Sequence, residues 1–186
     1  MRTPISYRAR RRLQAENQRF KKSAWLEVIT EFAAGRMTYT VTGRGGSELV
    51  QNRVLFPALE AERDLLREGR DPVALTDANY RFEQSGPAEH GLTRIRLIPR
   101  RKDKRLLDGF LLLTADADLV EITGTLAKAP SFWTTSVTLT RRYRRIGEVR
   151  VPVSVTSVAD VRIAGRSTFS MTYEFELVDG VRVRRD

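Results

Sequence analysis

Between Val149 and Phe175 large apolar side chains recur at alternate positions: Val149, Val151, Val153 and Val155, then Phe169, Met171, Tyr173 and Phe175. A period of two belongs to an extended strand, whose successive side chains point to opposite faces. Two such strands in succession lay a row of bulky groups along one face of a sheet. A face of that kind must be covered, by a helix or by the sheet curling on itself.

Most of the chain repeats the strand pattern. Residues 5–20 suit either strand or helix: Tyr7, Ala9, Leu13 and Ala15 share one parity, while the Arg and Gln content also fits a helix. The segments that follow favour the strand. Residues 24–32 and 36–42 are rich in β-branched and aromatic residues, and Ala33-Ala34-Gly35 between them reads as a hairpin turn. Further strands are expected over 79–85, 91–99, 107–115, 118–128, 134–145, 148–157 and 160–176. Turn signals such as Ser85-Gly-Pro87, Asp108-Gly109, Ala115–Asp118 and Gly147 punctuate them. Short connections make neighbouring strands antiparallel.

One segment breaks the period. After Gly43-Arg-Gly-Gly46, read as a flexible connector, Ser47 suits a helix N-cap. Leu49, Val50, Val54, Ala58, Ala61 and Leu65 then recur at helical spacing up to Glu68, Pro57 predicts a kink, and Gly69 ends the run. A connection over 71–79 leads back to strands. The expected fold is α+β, mainly β: a single domain over 1–186 with about nine or ten antiparallel strands. Ten twisted strands curl, so the expected form is a curled antiparallel sheet with one kinked helical segment packed into its mouth. Its inner face should be lined by Trp25 (or Leu26), Tyr39, Leu112, Ile122, Val137, Leu139, Val153, Met171 and Tyr173, with Trp133 at one mouth.

Little in the chain points to catalysis. With no cysteine, disulfides, thiol chemistry and thiolate metal sites are excluded. His90 is the only histidine and reads as a loop residue. Asp116 and Asp118 sit in a turn and are too few for a calcium loop. The glycines at 43–46 lack the Lys-Ser/Thr ending of a phosphate-binding loop. No catalytic residue, metal site or cofactor is therefore expected, and the chain reads as a protein that holds something.

The net charge of +10 is unevenly placed. Residues 1–22 hold eight Lys/Arg against Glu16, and residues 94–105 hold seven against Asp103. Such clusters suit an anionic membrane surface, an acidic partner, or nothing beyond a solvated outer face. Arg141-Arg-Tyr-Arg-Arg145 joins basic and aromatic residues on one strand, the pattern of a sheet that binds single-stranded nucleic acid. The set of exposed stacking aromatics that such a sheet needs is missing.

Five stretches resemble the outer-membrane lipoprotein-sorting carriers, the LolA/LolB/RseB-like superfamily. They are Asp108–Thr114, Leu119–Lys128, Pro130–Trp133, Val149–Pro152 and Gly165–Tyr173, and the earlier order of strand, strand, helix and strand fits as well. The resemblance implies a half-open β-barrel closed by helices around an apolar cavity that shelters acyl chains. It also implies a periplasmic location and a signal peptide removed from the mature form; residues 1–13 have a charged start without the apolar stretch of an intact signal. The expected function is a non-enzymatic lipid or lipoprotein carrier or sensor, its basic segments meeting an anionic membrane. The alternatives are a basic sheet that binds nucleic acid and a protein-interaction module with a filled core.

Overall fold

In the computed structural model, which describes residues 2–69 and 75–184, the period-two segments form one antiparallel sheet. The first three strands are β1 (Ser6–Asn17), β2 (Lys22–Ala33) and β3 (Arg36–Gly46). A helical segment follows: α1 (Glu48–Val50), a π-helical turn (Gln51–Leu55) and α2 (Phe56–Arg67). The chain then continues through β4 (Tyr80–Pro87), β5 (Thr93–Pro99), β6 (Leu107–Leu113) and β7 (Leu119–Leu126). It ends in β8 (Thr134–Ile146), β9 (Val149–Val161), β10 (Gly165–Val178) and the short β11 (Val181–Arg182).

Strand order in the sheet is β3-β2-β1-β10-β9-β8-β7-β6-β5-β4. The N-terminal strand therefore lies in the middle, hydrogen-bonded to β2 on one side and β10 on the other. Its pairing makes residues 6–17 a strand, with 18–20 in the following turn: Leu13 faces Leu26 across one ladder and Met171 across the other. The edges β3 and β4 do not meet, so the curled sheet stays half open. The helical segment connects these two edges.

Pro57 shapes that segment. It cannot donate to a carbonyl in the preceding turn, and the backbone rewires into a π turn immediately before it. The expected cap is absent in its usual form, since Ser47 makes no side-chain bond to the helix. The buried Gln51 holds the helix start instead, its Nε2 donating to the carbonyls of Gly45 (3.2 Å) and Gly46 (3.4 Å).

Three expected breaks are not breaks. Gly43 and Gly45 belong to β3 and lie under the indole of Trp25; a Cβ on Gly45 would sit 2.7 Å from its Nε1. Asp108-Gly109 lies inside β6, where Gly109 approaches Gly124 so closely that a Cβ would meet the Thr123 carbonyl at 1.9 Å. The expected gap after residue 157 is also absent: β9 runs on to Val161 and turns at 162–164, with Gly165 at φ +69°. In each case strand pairing overrides a local turn signal. Of the expected connection over 71–79, residues 71–74 lie outside the described residues.

The core divides along the curl. One cluster packs Leu55 and Leu59 of the helical segment onto Leu13, Leu26, Val28, Val155 and Met171. A second gathers Tyr80, Leu97, Leu107, Leu111 and Ile122 from β4–β7. A third joins Ala9, Val149, Val151, Phe175 and Val178 at the other end of the long strands.

Candidate functional site: the concave face beneath the helix

Alternation along β1 sorts its side chains without exception: Ala9, Arg11, Leu13 and Ala15 are buried, while Arg10, Arg12, Gln14 and Glu16 are exposed. The concave face thus contains a guanidinium. Arg11 has no exposed side-chain surface and pairs with Glu62, which reaches down from α2. Around it stand Thr30 (3.5 Å), the sulfurs of Met37 and Met171, and the hydroxyl of Tyr173, which accepts from Nη2 at 3.3 Å. The guanidinium also lies 4.5 Å from the centroid of the Tyr173 ring. Its Nε has no acceptor.

Burial lifts the Tyr173 phenol to about 12, with Glu62 adding to the effect. Burial, then Glu62, also raises Tyr7 well above the ordinary tyrosine range. Both hydroxyls therefore keep their protons at neutral pH. On β8, Arg141 shares the parity of Leu139, and its Nε likewise meets no acceptor. Two guanidiniums thus share this face, and the ion pair here is the one to Glu62. A buried pair of this type costs desolvation on both sides, which its attraction only partly offsets.

Of the residues expected to line the inner face, six lie on it. Tyr39 packs against the helix-side cluster and donates to Glu60 on α2. Ile122 is fully buried, Met171 nearly so, and Tyr173 flanks Arg11. Leu139 touches both larger clusters, and Val137 shares its parity.

The others depart from that expectation. Trp25 faces the convex side, with Arg12 4.8 Å from its ring centroid; Leu26, the alternative, is the buried neighbour. Leu112 shares the parity of Phe110, over which Arg94 and Arg96 lie on the convex face, and Leu111 is the buried one. Both expectations are off by one residue, and in a strand that exchanges the faces. Val153 shares the parity of the buried Val151 and Val155 but is itself only half-buried, beside the shift in register between Arg142 and Tyr143. Trp133 stands at an exposed turn against Phe132 rather than in a mouth.

Arg11, Arg141 and Glu62 were missed, although a signal for each is present. Arg11 lies on the parity of Tyr7, Ala9 and Leu13, Arg141 on that of Val137 and Leu139, and Glu62 three residues beyond Leu59 on the helix. Arg11 and Arg141 also belong to basic runs, which suggest a solvated face, and Glu62 belongs to no motif.

The convex face differs. Several of its arginines are matched by carboxylates: Arg8 with Glu31 and Glu176, Arg12 with Glu27, Arg96 with Asp108 and Arg142 with Glu121. A hollow of about 450 Å³ opens at one end of the sheet, bordered by Ala15, Ala24, Trp25, Ser157 and Phe169. Among the described residues no group of three or more acidic, His or Cys side chains could hold a metal, and no helix is long and apolar enough to cross a membrane.

No protein-family model matches the sequence, and no curated protein matches it significantly.

Proposed function

We propose that the chain is a non-enzymatic carrier or sensor of acylated cargo, of the lipoprotein-sorting type that its sequence resembles, acting in the bacterial envelope. The observation that carries this reading is how lightly the helix is attached. In the segment from Glu48 to Arg67 the only buried side chains are Gln51, Leu55 and Leu59, and its deepest polar tie is the Glu62–Arg11 pair. Beneath it lie Leu13, Leu26, Val28 and Met171, an apolar surface interrupted by Arg11. Sliding the helix aside would expose that surface to an acyl chain, whose burial is favourable by about 0.8 kcal/mol per CH₂. The polar tie exchanges for water more readily than apolar packing does.

The reading as a nucleic-acid-binding sheet has less support, because several convex arginines already face carboxylates. The filled-core reading shares the same packing and differs in one respect: its helix would not move.

The test is equilibrium binding of a fluorescent diacylated lipopeptide. Saturable uptake is expected, and Met171→Asp should weaken it at least tenfold while circular dichroism shows the sheet intact. A protein that takes up neither lipopeptide nor fatty acid would sink the carrier reading.

A further inference from the structure

Antiparallel pairing sends alternate connections to opposite ends of the sheet, and the two ends differ in chemistry. One end carries the β1–β2, β5–β6, β7–β8 and β9–β10 connections and the start of the helix. Residues 18–21, 100–106, 127–133 and 162–164 there hold nine Lys/Arg against Asp103, and the helix start and the entry to β4 add the acids Glu48 and Asp77. The connections at the far end are 34–35, 88–92, 114–118, 147–148 and 179–180. They hold five acids (Glu89, Asp116, Asp118, Glu148 and Asp179) and no Lys or Arg.

The basic end is also where exposed apolar groups collect. Phe20 caps the β1–β2 turn, Ile163 the β9–β10 turn, and Phe132 and Trp133 the β7–β8 turn; Leu49 stands at the helix start. Each is more than half exposed, from 53% at Phe20 to 72% at Phe132, against Ile5 and Val181 at the far end.

These tips form one surface. Arg19 donates to the Ile163 carbonyl (2.7 Å), Arg162 N donates to the Trp133 carbonyl (2.8 Å), and the Arg162 guanidinium covers the Phe132 ring. A depression of about 480 Å³ joins Lys102–Arg105 to Lys128–Pro130. Ser47 N donates to the Ser23 carbonyl, which ties the helix start to the same rim. Asp103 is already engaged by Arg101 and Arg105, whereas Lys21, Lys102, Lys104 and Lys128 make no ion pair among the described residues.

We propose that this end of the sheet docks on a bilayer surface containing anionic phospholipid, with Phe132, Trp133, Phe20 and Ile163 entering the interface and the cations held at the headgroups. Aromatic side chains favour the membrane–water boundary, and apolar insertion together with a polybasic patch gives the two signals that stable peripheral binding needs. Nucleic acid fits less well. Ile163 and Leu49 offer no ring for stacking, and the Phe132 ring is already covered by Arg162. The far end has no such basic cluster, and its acids Asp118, Glu148 and Asp179 are engaged by Arg145 and Arg2, so the docked orientation is turns down, with the hollow beside Phe169 near the membrane.

Vesicle flotation tests this on the intact chain. Vesicles of phosphatidylcholine with phosphatidylglycerol should carry the protein up the gradient, pure phosphatidylcholine should not, and binding should fall as salt shortens the screening length. Each cation near an anionic surface contributes about fivefold, so Lys102→Glu with Lys104→Glu should cost at least roughly 25-fold. Phe132→Ala with Trp133→Ala should cost about tenfold, and Glu89→Gln at the far end nothing.

Trp25 and Trp133 are the only tryptophans. In Trp25→Phe, emission from Trp133 should shift to the blue on anionic vesicles alone; if that variant does not fold, the flotation series decides. Absence of flotation at low salt, equal binding to both vesicle types, or binding indifferent to the turn substitutions would overturn the proposal. So would retention by DNA without flotation. The outcome is separable from the carrier reading, since these vesicles contain no acylated peptide and a protein that only extracted lipid would stay at the bottom.

Discussion

Arg11 and Arg12 are neighbours in sequence, identical in chemistry, and live on opposite faces of one strand. Arg12 keeps 43% of its side chain exposed, lies over Trp25 and pairs with an equally accessible Glu27. Arg11 is wholly enclosed and depends on Glu62, which keeps 21% of its side-chain surface. The contrast shows that the energetic meaning of a charge here is set by strand parity and by what covers that face. On the convex side ion pairs tune a solvated surface. On the concave side one ion pair ties the sheet to its helical cover.

The largest expected effect is on the enclosed side. Glu62→Leu leaves Arg11 buried without a counter-ion and should cost about 3–5 kcal/mol in denaturant unfolding. Combining it with Arg11→Met should restore most of that loss, since an apolar replacement of a buried pair is often neutral or better. If the double variant is as unstable as the single, the pair is held by more than its charge.

Leu59→Ala removes one of the two leucines that seat the helix and should cost about 2–5 kcal/mol. Under the carrier reading it also loosens the cover, so lipopeptide uptake should quicken even as the melting temperature falls. A slower uptake would mean that the helix forms part of the binding surface rather than a cover over it.

Alkali sharpens the same comparison. The Tyr173 phenol rises from 10.0 to about 12, chiefly by burial. The folded state holds that proton more tightly than the unfolded one, so the stabilisation is complete below pH 10 and is lost as the pH climbs through about 12. None of the five tyrosines is exposed, and burial raises Tyr7, Tyr39, Tyr80 and Tyr173 alike, so most tyrosinate absorbance should appear late and together with unfolding. A single early rise would show the concave face open to water.

The smallest effect belongs to the convex side. Arg12→Ala should change stability by about 0–1 kcal/mol, the usual range for an exposed pair. The loss should shrink further at high salt. A cost as large as that of Glu62→Leu would erase the distinction between the faces.

Much of this architecture is readable along the chain. The row from Val149 to Phe175, the hairpin at Ala34-Gly35 and the helical spacing after Ser47 all rest on local geometry, and local geometry has a period. What failed was also local: Gly43–Gly46 and Asp108-Gly109 read as turns because glycine usually marks one. Here they are places where a tryptophan or a neighbouring backbone comes too close for a Cβ. Trp25 and Leu112 were assigned to the wrong face because their buried neighbours, Leu26 and Leu111, are equally apolar, and composition cannot choose between them.

By itself the sequence determines that this protein is a twisted antiparallel sheet with one apolar face, a single interrupted helix and an excess of cations. Periodicity and composition are enough for that, because each depends only on residues close together along the chain. Tertiary structure alone decides that β1 enters the middle of the sheet, that Arg11 meets Glu62 fifty-one residues away, and that alternate turns gather basic and apolar tips at one end and acids at the other. Those outcomes depend on which strands pair. Pairing is a property of the whole curled sheet, in which a shift of one residue exchanges inside and outside.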